Sequence, residues 1–271
     1  MKKITLVACL MFLSVIAFAQ KPVRFGVYLG EATPLGNLGQ GDAIIKTPDY
    51  QYGDISRYAF LFERGTQGYA GVGGNVGFDV TYNLPVKGLG VFGGVDFFVN
   101  TNNSDINSYF NDWQKQIEKE IGISSASFNL PNVINIPILF GLNYLYNFNN
   151  IIGVWGEAGM GPNFRLITDY TQEIKYTALQ VTPDGSYDKE TWNCDYKSAT
   201  TLGFKIGAGA MLWNRMSIGL DFYSLGSAKI EGNYEYKLGV KIVEATTDDD
   251  DFKTDKAFSS SELVVRVGYH F

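Results

Sequence analysis

Eight segments of the chain alternate apolar residues with small or polar ones at a period of two, the signature of strands with one apolar face. In residues 23–30, Val23, Phe25, Val27 and Leu29 oppose Arg24, Gly26, Tyr28 and Gly30. In 69–82, Val72, Gly74, Val76, Phe78, Val80 and Tyr82 oppose Gly73, Asn75, Gly77, Asp79 and Thr81. The same pattern places strands at 89–100 (with Asp96 on the polar face), 133–146, 151–166 (Glu157), 200–213 (Lys205) and 216–224 (Asp221). It returns at 261–271, where Leu263, Val265, Val267, Tyr269 and Phe271 oppose Glu262, Val264, Arg266, Gly268 and His270. Pro137 interrupts the fourth segment and predicts a bulge or local break there.

The links between these segments alternate in length. Long ones, at 31–68, 101–132, 167–198 and 225–260, are separated by short ones at 83–88, 147–150 and Asn214-Arg215. In the second long link, Ile106, Phe110, Trp113, Ile117 and Ile121 recur at helical spacing behind Ser104-Asp105, predicting a short amphipathic helix over 106–121. In the third, Pro183-Asp184-Gly185 between polar alternating segments predicts a hairpin standing above the membrane.

A strand as apolar on one face as 261–271 would be a hazardous free edge in a soluble sheet. Pairing the last strand with the first removes that edge. Link lengths sorted to two ends are the pattern of a barrel with short turns on one side of a membrane and long loops on the other. The expected fold is therefore all-β: an eight-stranded antiparallel up-and-down transmembrane β-barrel with four long external loops, one containing the helix. Even strand number puts both termini on the periplasmic side.

Composition sharpens this picture. Lys2 and Lys3, the apolar run 4–18 and Ala17-Phe18-Ala19 read as a signal peptide over 1–19, leaving an outer-membrane β-barrel domain over 20–271. Cys9 follows Lys3 too closely for a lipoprotein box, so Cys194 is the one mature cysteine and no intrachain disulfide is expected. The chain holds 31 Gly, 17 Tyr and 19 Phe, which suits close strand packing and aromatic girdles, with Trp155, Trp213, Tyr82, Tyr144 and Tyr269 as interface candidates. A net charge of −6 argues against nucleic acid.

The stretch Val133-Ile134-Asn135-Ile136-Pro137-Ile138-Leu139-Phe140-Gly141, followed after a turn by the glycine-rich Ile152-Gly153-Val154-Trp155-Gly156-Glu157-Ala158-Gly159-Met160-Gly161, resembles the paired strands of the PorT-like outer-membrane β-barrel family of Bacteroidetes. The Tyr269-His270-Phe271 ending is similar too. Gly141-Leu142-Asn143 stands where the family usually carries a basic residue. The resemblance implies a barrel in a Gram-negative outer membrane and no single activity, some members acting in secretion or assembly. Tyr269 and Phe271 also resemble the C-terminal signal by which such barrels are recognised for insertion, which implies barrel-assembly machinery and outer-membrane lipid as partners.

The polar face puts Arg24, Lys205 and Arg266 inside with Asp79, Asp96, Glu157, Asp221 and Glu262. Eight strands enclose only enough space for side chains, and charges there must pair. These residues are expected to form a structural interior network, although the inward glycines leave room for a small ligand pocket. Asp96 and Glu157 are the carboxylate pair to consider for acid–base work, but inward carboxylates beside Arg and Lys serve structure. His270, the only histidine, sits at the rim and offers no nucleophilic triad. Asp248 to Asp251 lack the spacing of a Ca²⁺ loop. No catalytic residue, cofactor or metal is expected. The expected role is a non-enzymatic barrel whose external loops bind an extracellular or envelope partner. The alternatives are a component or assembly factor of an envelope or secretion machine and, third, a narrow porin-like channel.

Overall fold

A computed structural model describes residues 23–39, 70–102, 104–120, 122–182, 185–245, 252–253 and 257–271. The expected signal peptide over 1–19, most of the first long link, Ile121, Pro183-Asp184 and Asp248 to Asp251 lie outside the described residues.

The barrel strands are β1 (Val23–Leu35), β2 (Ala70–Asn83), β3 (Leu89–Asn102), β5 (Val133–Asn147), β6 (Ile152–Ile167), β9 (Ala199–Leu212), β10 (Met216–Ala228) and β14 (Phe258–His270). Each pairs antiparallel with the next barrel strand in the chain, and β1 closes the ring against β14, from Gly26 opposite His270 to Leu35 opposite Ser261. The result is an eight-stranded antiparallel up-and-down barrel. Closure leaves no edge, so the ladder hydrogen bonds are made within the ring. The alternation read from the sequence sorts as a barrel requires. Phe78, Phe140, Leu142, Ile206, Leu220 and Val267 are among a belt of exposed apolar side chains on the outside, which only lipid can cover. The interior holds the opposite parity.

The break at Pro137 is present without a bulge. Pairing with β6 stops after Pro137–Asn163 and resumes at Phe140–Met160, in the same register. The tight β9–β10 turn is centred one residue earlier than the sequence suggested. Trp213 and Asn214 both have positive φ, and Arg215 N–H donates to the Leu212 carbonyl. The pairing of Leu212 with Met216 leaves a three-residue loop, Trp213 to Arg215, and asparagine tolerates its left-handed position in it.

The long links differ most from expectation. β1, β10 and β14 run past the predicted strand ends, and the helix, α1 (Ser104–Ile117), lies about one turn earlier than 106–121. Beyond the barrel, β4 (Ile123–Asn129), β7 (Tyr170–Thr182), β8 (Gly185–Tyr196), β11 (Glu231–Leu238) and β12 (Lys241–Ala245) form a second sheet in the order β12-β11-β8-β7-β4, with β13 (Phe252–Lys253) paired to β11. The expected hairpin in 167–198 is β7–β8, but 101–132 and 225–260 are not merely loops: they supply the strands on either side of it. This sheet has one apolar face, carrying Tyr170, Ile174, Ala126, Trp192 and Cys194, all buried. The other face carries Glu173, Lys175, Lys189, Asn193 and Glu235. Its apolar face and α1 pack on the outer ends of the barrel strands, where Leu38, Ala70, Val133, Ile167, Ile230 and Phe258 join Ile106, Phe110, Tyr170 and Trp192 in one core. A folded cap thus closes the long-link end of the barrel.

Inward glycines make room for large rings. A Cβ at Gly219 would run into the Trp155 ring and the Ala208 carbonyl, whereas one at Gly74 would meet nothing. Gly219→Ala is expected to destabilise the barrel by about 1–3 kcal/mol through overpacking and Gly74→Ala to leave it unchanged. Urea unfolding midpoints in lipid vesicles measure both.

Candidate functional site

The inward side chains form layers along the barrel axis. At the centre, Glu157 on β6 accepts from two cations through one oxygen, Lys205 Nζ on β9 and Arg266 Nη2 on β14, each at 2.6 Å. Arg266 Nε lies 2.7 Å from Asp221 Oδ2 on β10. Four neighbouring strands therefore place two cations against two carboxylates. Aromatic rings complete the enclosure. The Arg266 guanidinium sits 4.4 Å from the centroids of both Tyr28 and Trp155, and Lys205 Nζ is 5.1 Å from the ring centroids of Tyr28 and Tyr223. Ring faces attract cations most strongly where water is absent.

Trp155 is thus an interior residue and not part of a membrane-interface girdle. Its indole N–H donates to the Ala210 carbonyl at 3.2 Å, which lets its polar edge be buried. Trp213, Tyr82, Tyr144 and Tyr269 are exposed at the short-turn end or on the outer surface.

Toward the short turns, Arg24 and Asp79 line a residual cavity with Asn143, Trp155, Arg266 and His270, and His270 Nε2 lies 3.0 Å from Ser217 Oγ. The cavity measures about 10 Å³, room for one water. The small ligand pocket considered from the inward glycines is filled by Tyr28 and Trp155. Tyr269 and Phe271 stack edge to face at 4.9 Å on the outside, and Phe271 N–H donates to the Phe25 carbonyl.

Toward the cap, the interior is amide-rich. Asn75 donates to Asp96 and Asn100 to Glu262, both at 3.4 Å. Asn163 donates to Asn135, Thr201 and the Leu225 carbonyl. Asp96 is therefore partnered by Asn75 and Glu157 by Lys205 and Arg266, and the two are not paired as acid and base. Two residues absent from the sequence-derived set dominate here. Arg165 on β6 is fully buried, and its guanidinium donates to the carbonyls of Phe258 on β14 (2.9 Å) and Gly226 on β10 (3.0 Å), bridging the mouth of the barrel. Asn163 ties β6 to β5, β9 and β10 in the same layer. Both continue the parity of Glu157 along β6, and that alternation is the signal that points to them.

The cap carries its own chemistry. Trp192 stacks on Tyr236 at 4.1 Å. Glu190 accepts from the hydroxyls of Tyr176 (2.6 Å) and Tyr187 (3.3 Å). On the polar face, Lys189 and Lys175 both lie 3.0 Å from Glu173, and their hydrogen bonds hold its carboxyl below the usual range. Cys194 is fully buried in the cap core, where burial pushes the thiol up to about 12. Between α1 and the adjoining ends of β3 and β5 lies a cavity of about 250 Å³, lined chiefly by carboxamides. Among the described residues no three His, Cys, Asp or Glu side chains are grouped as metal ligands.

Replacing Arg266 by Met leaves Glu157 and Asp221 buried without their shared cation, an expected loss of about 3–5 kcal/mol. It should appear as a lower urea midpoint, partly recovered when Glu157→Gln is added. The Cys194 thiol, neutral and covered, should resist maleimide until the cap unfolds. Because its folded pKa is raised, the stability it contributes is complete below about pH 9 and lost as pH rises toward 12. The decline of cap stability over that window should be smaller in Cys194→Ala.

No family model matches the sequence, and no curated protein matches it. Solved structures with some likeness are the attachment invasion locus protein Ail of Yersinia pestis (9% identity, covering 93% of this chain and 100% of that one, TM-score 0.36) and a major outer membrane protein of Thermus thermophilus (15%, 93% and 100%, TM-score 0.42). OprG of Pseudomonas aeruginosa is similar at 10% identity, over 92% of this chain and 94% of that one, with a TM-score of 0.35. At these scores the barrel assignment rests on the chain's own strand pairing, which closes the ring at β1 and β14.

Proposed function

We propose that the protein is an integral outer-membrane anchor that holds a folded binding platform on the outside of the cell, acting neither as an enzyme nor as an open pore. One observation carries this reading: the barrel is filled along its axis and closed at the long-link end by an ordered sheet and helix that share its core. A channel needs a continuous aqueous path, and the space beside Arg24, Asp79 and Arg266 has room for no more than about one water. Building a second sheet and a helix above a sealed barrel has a ready rationale if the upper surface is the working part. Short turns at the opposite end and long links at this one fit a periplasmic and an external side respectively.

The PorT-like resemblance of residues 133–141 and 152–161 supports a second reading, a component of an envelope or secretion machine. The cap would then dock a neighbouring envelope protein. Co-purification separates the two, because a machine component brings stoichiometric envelope proteins with it and a free-standing platform does not.

In planar bilayers the purified protein is expected to give no stepwise conductance; steady single-channel currents would remove the sealed-platform reading. On intact cells, a membrane-impermeant amine reagent is expected to label Lys175 and Lys115, whose side chains are 55% and 67% exposed. Labelling only after the outer membrane is broken would place the cap inside and overturn it.

A further inference from the structure

The cavity beneath α1 has a wall chemistry unlike the rest of the cap. Asn107, Asn111 and Gln114 follow one another at intervals of four and three, so they share one face of the helix. Facing them are Asn102, at the end of β3, and Asn132, just before β5. Phe110 and Phe128 supply an aromatic floor, their rings tilted at 56° with centroids 5.3 Å apart. Charged residues of the same helix, such as Asp112 and Lys115, pair with each other on its exposed surface and do not line the cavity.

Several of the amides are fixed before any ligand arrives. Asn102 Nδ2 donates to the Pro131 carbonyl at 2.8 Å, and Asn107 Nδ2 donates to the Asn102 carbonyl at 3.0 Å. Gln114 Nε2 donates to Glu118 Oε1 at 3.1 Å. Each bond sets which way the amide plane lies, and each side-chain oxygen offers acceptor lone pairs. Preorganised polar groups reduce what ordering costs on binding.

A charged ligand would meet no opposite charge on these walls. A purely apolar one would strand buried amides without partners. A molecule with several neutral hydroxyls on one side and a C–H face on the other satisfies both walls and floor. Carboxamides offer donor and acceptor side by side, matching adjacent hydroxyls, and the negative face of an aromatic ring accepts polarised C–H groups. At about 250 Å³, the cavity is smaller than the roughly 300 Å³ at which pockets for drug-sized ligands begin, so it takes one ring and not an extended chain.

We propose that this cavity binds a single neutral hexose ring, either the terminal residue of a glycan or a free sugar. The proposal rests on the reading of the cap as an external binding platform and names what that platform recognises.

The test uses the full chain in phosphatidylcholine nanodiscs, because sugar-headed detergents would compete. Saturation-transfer NMR is run with methyl glucoside, methyl galactoside, methyl mannoside and N-acetylglucosamine, and an array of neutral-terminated glycans is probed in parallel. Binding is expected to at least one of these, weakened about fivefold each by Asn111→Ala and Gln114→Ala, the loss of one neutral hydrogen bond, and unchanged by Lys115→Ala. Signal with the methyl glycosides identifies a free-sugar site. Signal confined to the array identifies a glycan terminus. Absence of binding in both formats overturns the proposal, as does binding that the two substitutions leave undiminished. If sugars fail while Lys175 and Lys115 are labelled on intact cells, the platform stands and only its ligand class is wrong. If those lysines are shielded on intact cells, the platform reading fails with it.

Discussion

Everything in this barrel depends on one shared carboxylate. An eight-stranded ring encloses too little volume for a water-filled lumen and too much polar side chain for an oily core. Glu157 resolves that conflict by accepting from Lys205 and Arg266 together, while Arg266 also reaches Asp221. The cluster joins β6, β9, β10 and β14, so correct strand register is coupled to charge neutrality. A slip by one residue would send each of these side chains to the lipid face. Tyr28, Trp155 and Tyr223 then shield the cations, and glycines on neighbouring strands give the Tyr28 and Trp155 rings their space.

The cap extends the same logic outward. Its sheet has one apolar face and cannot bury that face alone, and the barrel mouth presents Leu38, Ala70, Val133, Ile167 and Phe258. Each surface covers the other. Arg165 fastens the junction from below by holding the carbonyls of Phe258 and Gly226. The cap is therefore continuous with the barrel through a shared core and these hydrogen bonds.

The barrel is legible in the sequence because each strand carries its period of two over eight or more residues, and the alternation of long and short links favours a barrel over a sandwich of similar strands. The sequence is weaker where one residue type suits two environments. Parity places Trp155 in the interior while its chemistry suits the interface; parity wins, because a guanidinium lies against its face. Arg165 is easily passed over behind the glycine-rich start of its strand, though its parity matches Glu157. The cap strands β4 and β11 are hidden for another reason. Ile123-Ser-Ser-Ala-Ser-Phe-Asn has few strong strand formers, and Tyr234, Tyr236 and Leu238 alternate with Asn233, Glu235 and Lys237 over only a few residues. Such segments become strands only when neighbours distant in the chain pair with them. The cavity amides are invisible for the same reason, since Asn102 and Asn132 meet the face of α1 only once both links are folded.

The pairing of β1 with β14 also sets an order of events. These partners are separated by nearly the whole chain, and the entropy of closing so long a loop is recovered only when all intervening hairpins are in place. The hairpins can form locally, but the ring is the last step. The cap core draws on Leu38, Ile230 and Phe258, from the region where that final pair meets, so it consolidates only once the ring has shut. An incompletely closed barrel would present two open strand edges and an unassembled cap together.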